Sequence, residues 1–168
     1  MIDGILNLLK VLPKEAITLI LATLPITELR GAIPWALASL PVGGGLSWPV
    51  AYLFAVVGNF IPVIPLLLLW GPLSRRLCRY KLFDRFFTWL FERTRKRGRV
   101  VERYEALGLI IFVGIPLPMT GAWTGTIAAF IFGVPFHRAV VCIALGILLA
   151  GVVVTLASLG VIGLAGLL

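Results

Sequence analysis

The 168 residues are 60% hydrophobic and only 13% charged, with a mean hydropathy of +1.07, which excludes a soluble globular domain and a disordered chain. A net charge of +8 would suit nucleic acid in a soluble protein, yet eleven of the fifteen basic residues lie between Arg75 and Arg103. That clustering is a topology signal: it marks a cytoplasmic loop whose surplus charge meets anionic headgroups, and it argues against nucleic acid as a partner.

In chain order, residues 1–14 carry Ile2, Ile5, Leu6, Leu9 and Leu12 at helical spacing with Asp3, Asn7 and Lys10 elsewhere, an amphipathic segment ended by Pro13. Residues 15–72 form a first membrane repeat. In it, Glu15 to Leu24 and Gly31 to Leu40 are apolar pieces of about ten residues, roughly 15 Å of helix, half of a ~30 Å hydrocarbon core. Pro41 and Gly43-Gly44-Gly45 close the second piece, and Ser47 precedes a full crossing from Trp48 to Gly71, with Trp48 and Trp70 as interfacial anchors and Pro62 and Pro65 as kinks. Asn59 is its one strongly polar member, read as a packing residue. The basic segment, residues 73–105, holds Phe83, Phe86, Phe87, Leu90 and Phe91 opposite Asp84, Arg85, Glu92 and Arg93, the pattern of an interfacial amphipathic helix. Residues 106–168 are a second repeat: a short apolar piece from Leu107 to Gly114, a proline-rich turn, a further apolar stretch, and a last helix that begins at His137-Arg138 and is loosened at its end by Gly160, Gly163 and Gly166.

Two motifs interrupt these tracts. The first, Leu24-Pro25-Ile26-Thr27-Glu28-Leu29-Arg30-Gly31-Ala32-Ile33-Pro34, places an acid and a base where no other charge occurs until after Ser74. Ionisable groups at membrane depth are costly and usually line a site, so Thr27, Glu28, Arg30 and Gly31 are candidate binding residues, with Pro25 and Pro34 as hinges. A helix opening near Gly31 would direct its free N–H groups at an anion, and the planar guanidinium of Arg30 suits phosphate or carboxylate. Glu28, partly desolvated, is a candidate for proton exchange.

The second motif runs Pro116-Leu117-Pro118-Met119-Thr120-Gly121-Ala122-Trp123-Thr124-Gly125. Thr120, Gly121, Trp123 and Thr124 are its candidate ligands, and Pro116 and Pro118 its hinges. Pro25 followed by Gly31-Ala32 answers Pro116 followed by Gly121-Ala122, which indicates an internal duplication, and paired interruptions in two halves point to a site near the membrane midplane. Each pair of short helices could return to the side it entered, making the repeats inverted, or continue as one broken crossing, making them parallel. Lys10 and Lys14 favour the second by the charge rule and His137-Arg138 the first. Enzyme chemistry is not expected, since one histidine, no paired acids and no metal-ligand spacing leave it without parts; neither metal nor cofactor is expected. Cys78 and Cys142 lie in unlike settings and suggest no disulfide.

The two motifs, with Glu102-Arg103-Tyr104-Glu105 and Leu107-Gly108 ahead of the second, resemble the bacterial and archaeal family of small multi-drug export proteins; Met119 stands where glycine is the family's habit. That family in turn looks like a distant relative of the DedA-type lipid-scrambling membrane proteins. The resemblance implies an all-α polytopic membrane protein of two inverted repeats, each a re-entrant helical hairpin plus a full transmembrane helix, in a prokaryotic cytoplasmic membrane. It also implies a transporter or flippase for an amphipathic anion, a polyprenyl phosphate or phospholipid; the expectation of proton coupling comes from Glu28. Alternatives are efflux of small drug-like molecules and a non-transport membrane scaffold. Membrane lipids are expected partners, and Gly146 and Ala150 on the last helix make a second copy of the chain a candidate partner.

Overall fold

A computed structural model describes residues 12–39, 43–77, 99–116 and 120–165. Among them all regular structure is helical: α1 (Lys14–Thr23), α2 (Glu28–Leu37), α3 (Trp48–Phe60), α4 (Val63–Leu77), α5 (Arg99–Gly114), α6 (Ala122–Ile131) and α7 (Phe136–Ala165). Two stretches are long and apolar enough to cross a bilayer, Trp48–Trp70 with 23 residues and Phe136–Ile162 with 27. The amphipathic segments expected within residues 1–11 and 83–91, and Pro118, lie outside the described residues.

Pro62 turns the first span into two helices rather than a kinked one, with residues 61–62 in a turn between α3 and α4. Pro65 causes no break, because it falls in the first turn of α4, where a missing N–H costs nothing. The last helix, expected to loosen at its glycines, continues through Gly160 and Gly163 to Ala165. In a purely apolar helix a glycine costs only about 1 kcal/mol against alanine, too little to end it.

The chain forms two compact units, one of Met1–Phe60 with Ala150–Leu168 and one of Ile61–Leu149. The boundaries fall inside the long spans, not at the basic segment. Each unit therefore holds one short helix pair, the first half of its own long span, and the second half of the other repeat's span.

In the first unit α1, α2 and α3 pack against one another. Small side chains are prominent in their contacts: Ala22, Ala32, Ala36, Ala51 and Ala55 are completely buried beside Ile33, while Leu53 and Val57 face outward. This follows from the solvent. Lipid offers apolar side chains as good an environment as protein does, so helices associate through close backbone approach. Gly58 is the extreme case, because a Cβ there would lie 2.4 Å from the Leu19 carbonyl oxygen. Pro62 has no N–H to give the Gly58 carbonyl four residues earlier, and the Thr23 hydroxyl donates to that carbonyl at 2.9 Å instead. The end of α1 thus sits beside the end of α3. The far end of α2 is tied to the start of α3 by Gly44 N–H to Trp35 carbonyl and Leu46 N–H to Ala36 carbonyl, both 2.8 Å. With ten residues in each short helix, α1 runs toward the end of α3 and α2 runs back: a hairpin. Thr23→Val keeps the side-chain volume but leaves the Gly58 carbonyl without that donor, and is expected to cost about 1–3 kcal/mol in a reversible unfolding measurement.

The second unit repeats the plan. Val113 packs against Gly125 of α6 and Gly146 of α7, and Gly114 lies against Leu149. Gly58 and Gly146 each fall ten residues after the start of their long helix, at Trp48 and Phe136. Each meets a carbonyl, of Leu19 or Ile110, four residues before the end of its short helix, at Thr23 or Gly114. The internal duplication read from the two motifs therefore has a counterpart in the packing. Gly146, expected to be available to a second copy of the chain, is instead buried against α5.

Candidate functional site

The first motif forms the hairpin turn and the opening of α2. Pro25 stops α1 from continuing, and the turn closes through Leu24 N–H to Leu21 carbonyl (3.3 Å), the Thr27 hydroxyl donating to the same carbonyl, and Glu28 N–H to Leu24 carbonyl (3.0 Å). Glu28 then stands at φ +43, the one residue other than glycine with positive φ among the described residues, and is 8% exposed. Left-handed backbone costs an L-residue roughly 1–2 kcal/mol, and such a conformation persists only where its surroundings impose it. A charged side chain in that conformation, buried in an apolar tract, marks the motif's centre.

Helix α2 begins three residues earlier than the sequence suggested. Gly31 N–H consequently donates to the Thr27 carbonyl at 2.8 Å, so it is an interior helix amide and not an anion donor. What Gly31 provides is room, because a Cβ there would meet the Thr27 Cβ at 2.9 Å. Glu28, Leu29, Ala32, Ile33 and Ala36 form the buried stripe of α2, which leaves Arg30 on another side of the helix, half-buried. Pro34, inside the helix and exposed, removes the N–H that would bond the Arg30 carbonyl, so that carbonyl lacks its intrahelical donor.

The second motif is built alike. The Thr120 hydroxyl donates to the Ile115 carbonyl at 2.8 Å, as Thr27 does to Leu21, so each turn is closed by a threonine near the last residues of the helix before it. Gly121 is buried and caps α6, which opens where the sequence placed it, with Gly125 N–H to Gly121 carbonyl at 2.8 Å. Trp123 and Thr124 are half-buried, and the Thr124 hydroxyl donates to the Gly121 carbonyl at 3.3 Å. For Thr27, Thr120 and Thr124 the hydroxyl proton is engaged by backbone, and the oxygen lone pairs are what they offer a ligand. Pro116 is half-buried at the end of α5. The eight candidate residues thus form two groups, Thr27 to Gly31 in the first unit and Thr120 to Thr124 in the second.

The structure also brings forward residues the sequence did not single out. Trp70, expected as an interfacial anchor, donates its indole N–H to the Thr126 hydroxyl at 3.1 Å and stacks on Phe130 at 6.3 Å, so it joins α4 to α6. Thr126 in turn donates to the Trp123 carbonyl at 2.7 Å, tying this contact to the motif. A double-mutant cycle of Trp70→Phe and Thr126→Val is expected to return a coupling of about 1 kcal/mol in unfolding experiments. Thr23 is the other unforeseen residue, and its signal was present: a proline four residues after Gly58 leaves a carbonyl that needs a donor.

The chain matches the family described as "Putative small multi-drug export protein" over residues 28–153, three quarters of its length. It belongs to that family. The match opens on Glu28, within the first motif, and takes in the whole of the second, and this small multi-drug export protein is a membrane protein with two helical spans long enough to cross. No curated protein and no solved structure matches it.

Proposed function

We propose that this small multi-drug export protein is a transporter that moves an amphipathic anion, a polyprenyl phosphate or phospholipid, with proton exchange at Glu28, in the cytoplasmic membrane of a prokaryote. The observation that carries the reading is Glu28 itself, an acidic residue held buried and in a disfavoured backbone conformation two residues from Arg30. A plain membrane scaffold gains nothing from that arrangement, whereas a carrier needs a group that can take and release a proton out of bulk water. Arg30 supplies the permanent positive charge for a phosphate, and Thr120, Gly121, Trp123 and Thr124 are proposed as substrate ligands of the second repeat.

The short pairs are proposed to be re-entrant. The Thr23–Gly58 hydrogen bond supports this, because Gly58 lies near the middle of the Trp48–Trp70 span, which sets the hairpin tip near half depth. Opposite orientation of the two repeats is supported within the first unit, where the early part of one long span packs on the late part of the other: Gly151 approaches Tyr52 and Val56. The basic segment between the repeats then lies on the cytoplasmic side by the charge rule.

The family description favours a second reading, export of small drug-like molecules. Most such compounds are cationic, and the permanent positive charge of Arg30, two residues from Glu28, disfavours them. Native mass spectrometry of the gently purified protein tests the choice. A phosphate-bearing lipid retained by wild type and lost in Arg30→Ala is the expected result, followed by lipid translocation in liposomes. Equal retention by both proteins would refute the anion site and leave drug efflux as the reading to assay.

A further inference from the structure

The two long spans pass between the compact units in different ways, and we propose that the turn at Ile61 and Pro62 in the first is a hinge, while α7 is a rigid strut. The chain crosses from one unit to the other at two places, Phe60 to Ile61 and Leu149 to Ala150. At the first the helix is interrupted by the turn; at the second α7 continues without a break. Within one unit Gly146 of α7 rests against Val113, and within the other Gly151 rests against Tyr52 and Val56, with no proline between the two glycines. One crossing is a joint and the other is not.

A proline in a span often leaves only a fixed kink, so the break alone does not make a hinge. What sets this one apart is how each side is held. Helix α3 packs on α1 and α2, with Gly58 set against Leu19 and Ala22. Helix α4 packs on α6, through the Trp70 indole against the Thr126 hydroxyl and the Phe130 ring. The two halves of one span therefore belong to different helix groups. Their hydrogen bonds next to the turn are also completed separately: the Gly58 carbonyl, which Pro62 deprives of its helical donor, is served by Thr23 of α1 at 2.9 Å, and α4 opens its own ladder with Leu66 N–H to the Pro62 carbonyl at 3.0 Å. Rotation at Ile61 breaks neither bond. Of the two turn residues, Pro62 is buried and its ring fixes φ, whereas Ile61 is 48% exposed, so Ile61 is where the backbone can change. Hinges are characteristically a few element-terminal residues of this kind, which absorb a change of angle between parts that stay packed. The consequence is that α3, carrying the first hairpin, can alter its angle to α4, carrying α6. This inference rests on the fold alone and is independent of what the protein carries.

The test measures distances between paired spin labels by double electron–electron resonance on the full-length protein in lipid nanodiscs, with Cys78→Ser and Cys142→Ala removing the native thiols. One pair, Leu53→Cys with Leu68→Cys, straddles the turn; the other, Val141→Cys with Leu156→Cys, straddles the crossing in α7. All four positions are exposed, and the members of each pair are fifteen residues apart. Continuous helix rises about 1.5 Å per residue, so the α7 pair is expected to give one narrow distance near about 22 Å. The pair across the turn is expected to give a broad distribution reaching well below that distance, and Pro62→Ala, which restores the missing N–H, to narrow it toward about 22 Å. A single narrow distance across the turn in the otherwise unaltered chain would make Pro62 a fixed kink and overturn the proposal. Equal breadth in both pairs would overturn it as well, because the flexing would then not be confined to the turn. Breadth that persists in folded Pro62→Ala would remove the assignment to this joint, and should that variant not fold, the comparison of the two pairs decides by itself.

Discussion

Glu28→Gln is expected to reduce transport by about 10- to 100-fold while the protein remains folded, since glutamine preserves size and hydrogen bonding but neither ionises nor forms charge-assisted bonds, which are worth about 1.5–3 kcal/mol. The companion variant sharpens the test. Glu28→Gly removes the penalty of the positive φ, about 1 kcal/mol, which offsets the loss of the side chain's bonds, and is expected to leave the unfolding temperature near that of wild type while transport is lost. A variant that is folded and inactive separates function from structure. Were Glu28 instead one half of a buried ion pair that holds the hairpin together, both substitutions would destabilise, since leaving a buried charge without its partner costs about 3–5 kcal/mol. The readout is lipid translocation in liposomes against unfolding of the same preparations, and normal transport by Glu28→Gln would refute the site.

How far the sequence anticipates this outcome depends on the kind of signal. The half-length pieces ahead of each motif were legible because prolines at 25 and 116 interrupt apolar runs, and a proline's effect is local, whereas Pro62, read as a kink, divides two helices and Pro34 lies inside one. The start of α2 was not, because Gly31 reads as a helix opening only if Glu28 is assumed to avoid the left-handed conformation it adopts. The structure moves the opening by three residues and with it the role of Gly31. The charges at Glu28 and Arg30 were visible as isolated ionisable groups. The donor that serves the Gly58 carbonyl was not, since it comes from Thr23, 35 residues earlier in the chain, meeting a carbonyl that Pro62 had freed. Long-range partners leave no periodicity to read. Gly146 illustrates the opposite error: a small residue on a transmembrane helix signals close approach, but not whether the neighbour is another subunit or, as here, α5 of the same chain.

The largest effect on stability is expected at Gly58. In Gly58→Val the new Cβ would stand 2.4 Å from the Leu19 carbonyl oxygen and 2.9 Å from the Leu19 Cα, both backbone atoms of α1 that cannot rotate aside. Helix α3 would have to move away from α1, which also breaks the Thr23 bond to the Gly58 carbonyl and unseats the hairpin tip with its glutamate. A loss of about 3 kcal/mol or more is expected, combining overpacking with a lost hydrogen bond, enough to prevent recovery of monodisperse protein. Gly146→Val should fail in the same manner, for its Cβ would meet the Val113 Cβ at 2.6 Å and the Ile110 carbonyl oxygen at 3.1 Å. Gly108 and Gly160 have nothing within 4 Å, and their replacement by alanine is expected to be neutral or to stabilise by up to about 1 kcal/mol through helix propensity. Size-exclusion profiles and unfolding temperatures of the four variants decide the matter. If the two close-approach glycines tolerate valine as well as the two open ones tolerate alanine, then α1 and α3 do not meet through their backbones, and the half-depth position of the hairpin tip falls with that contact.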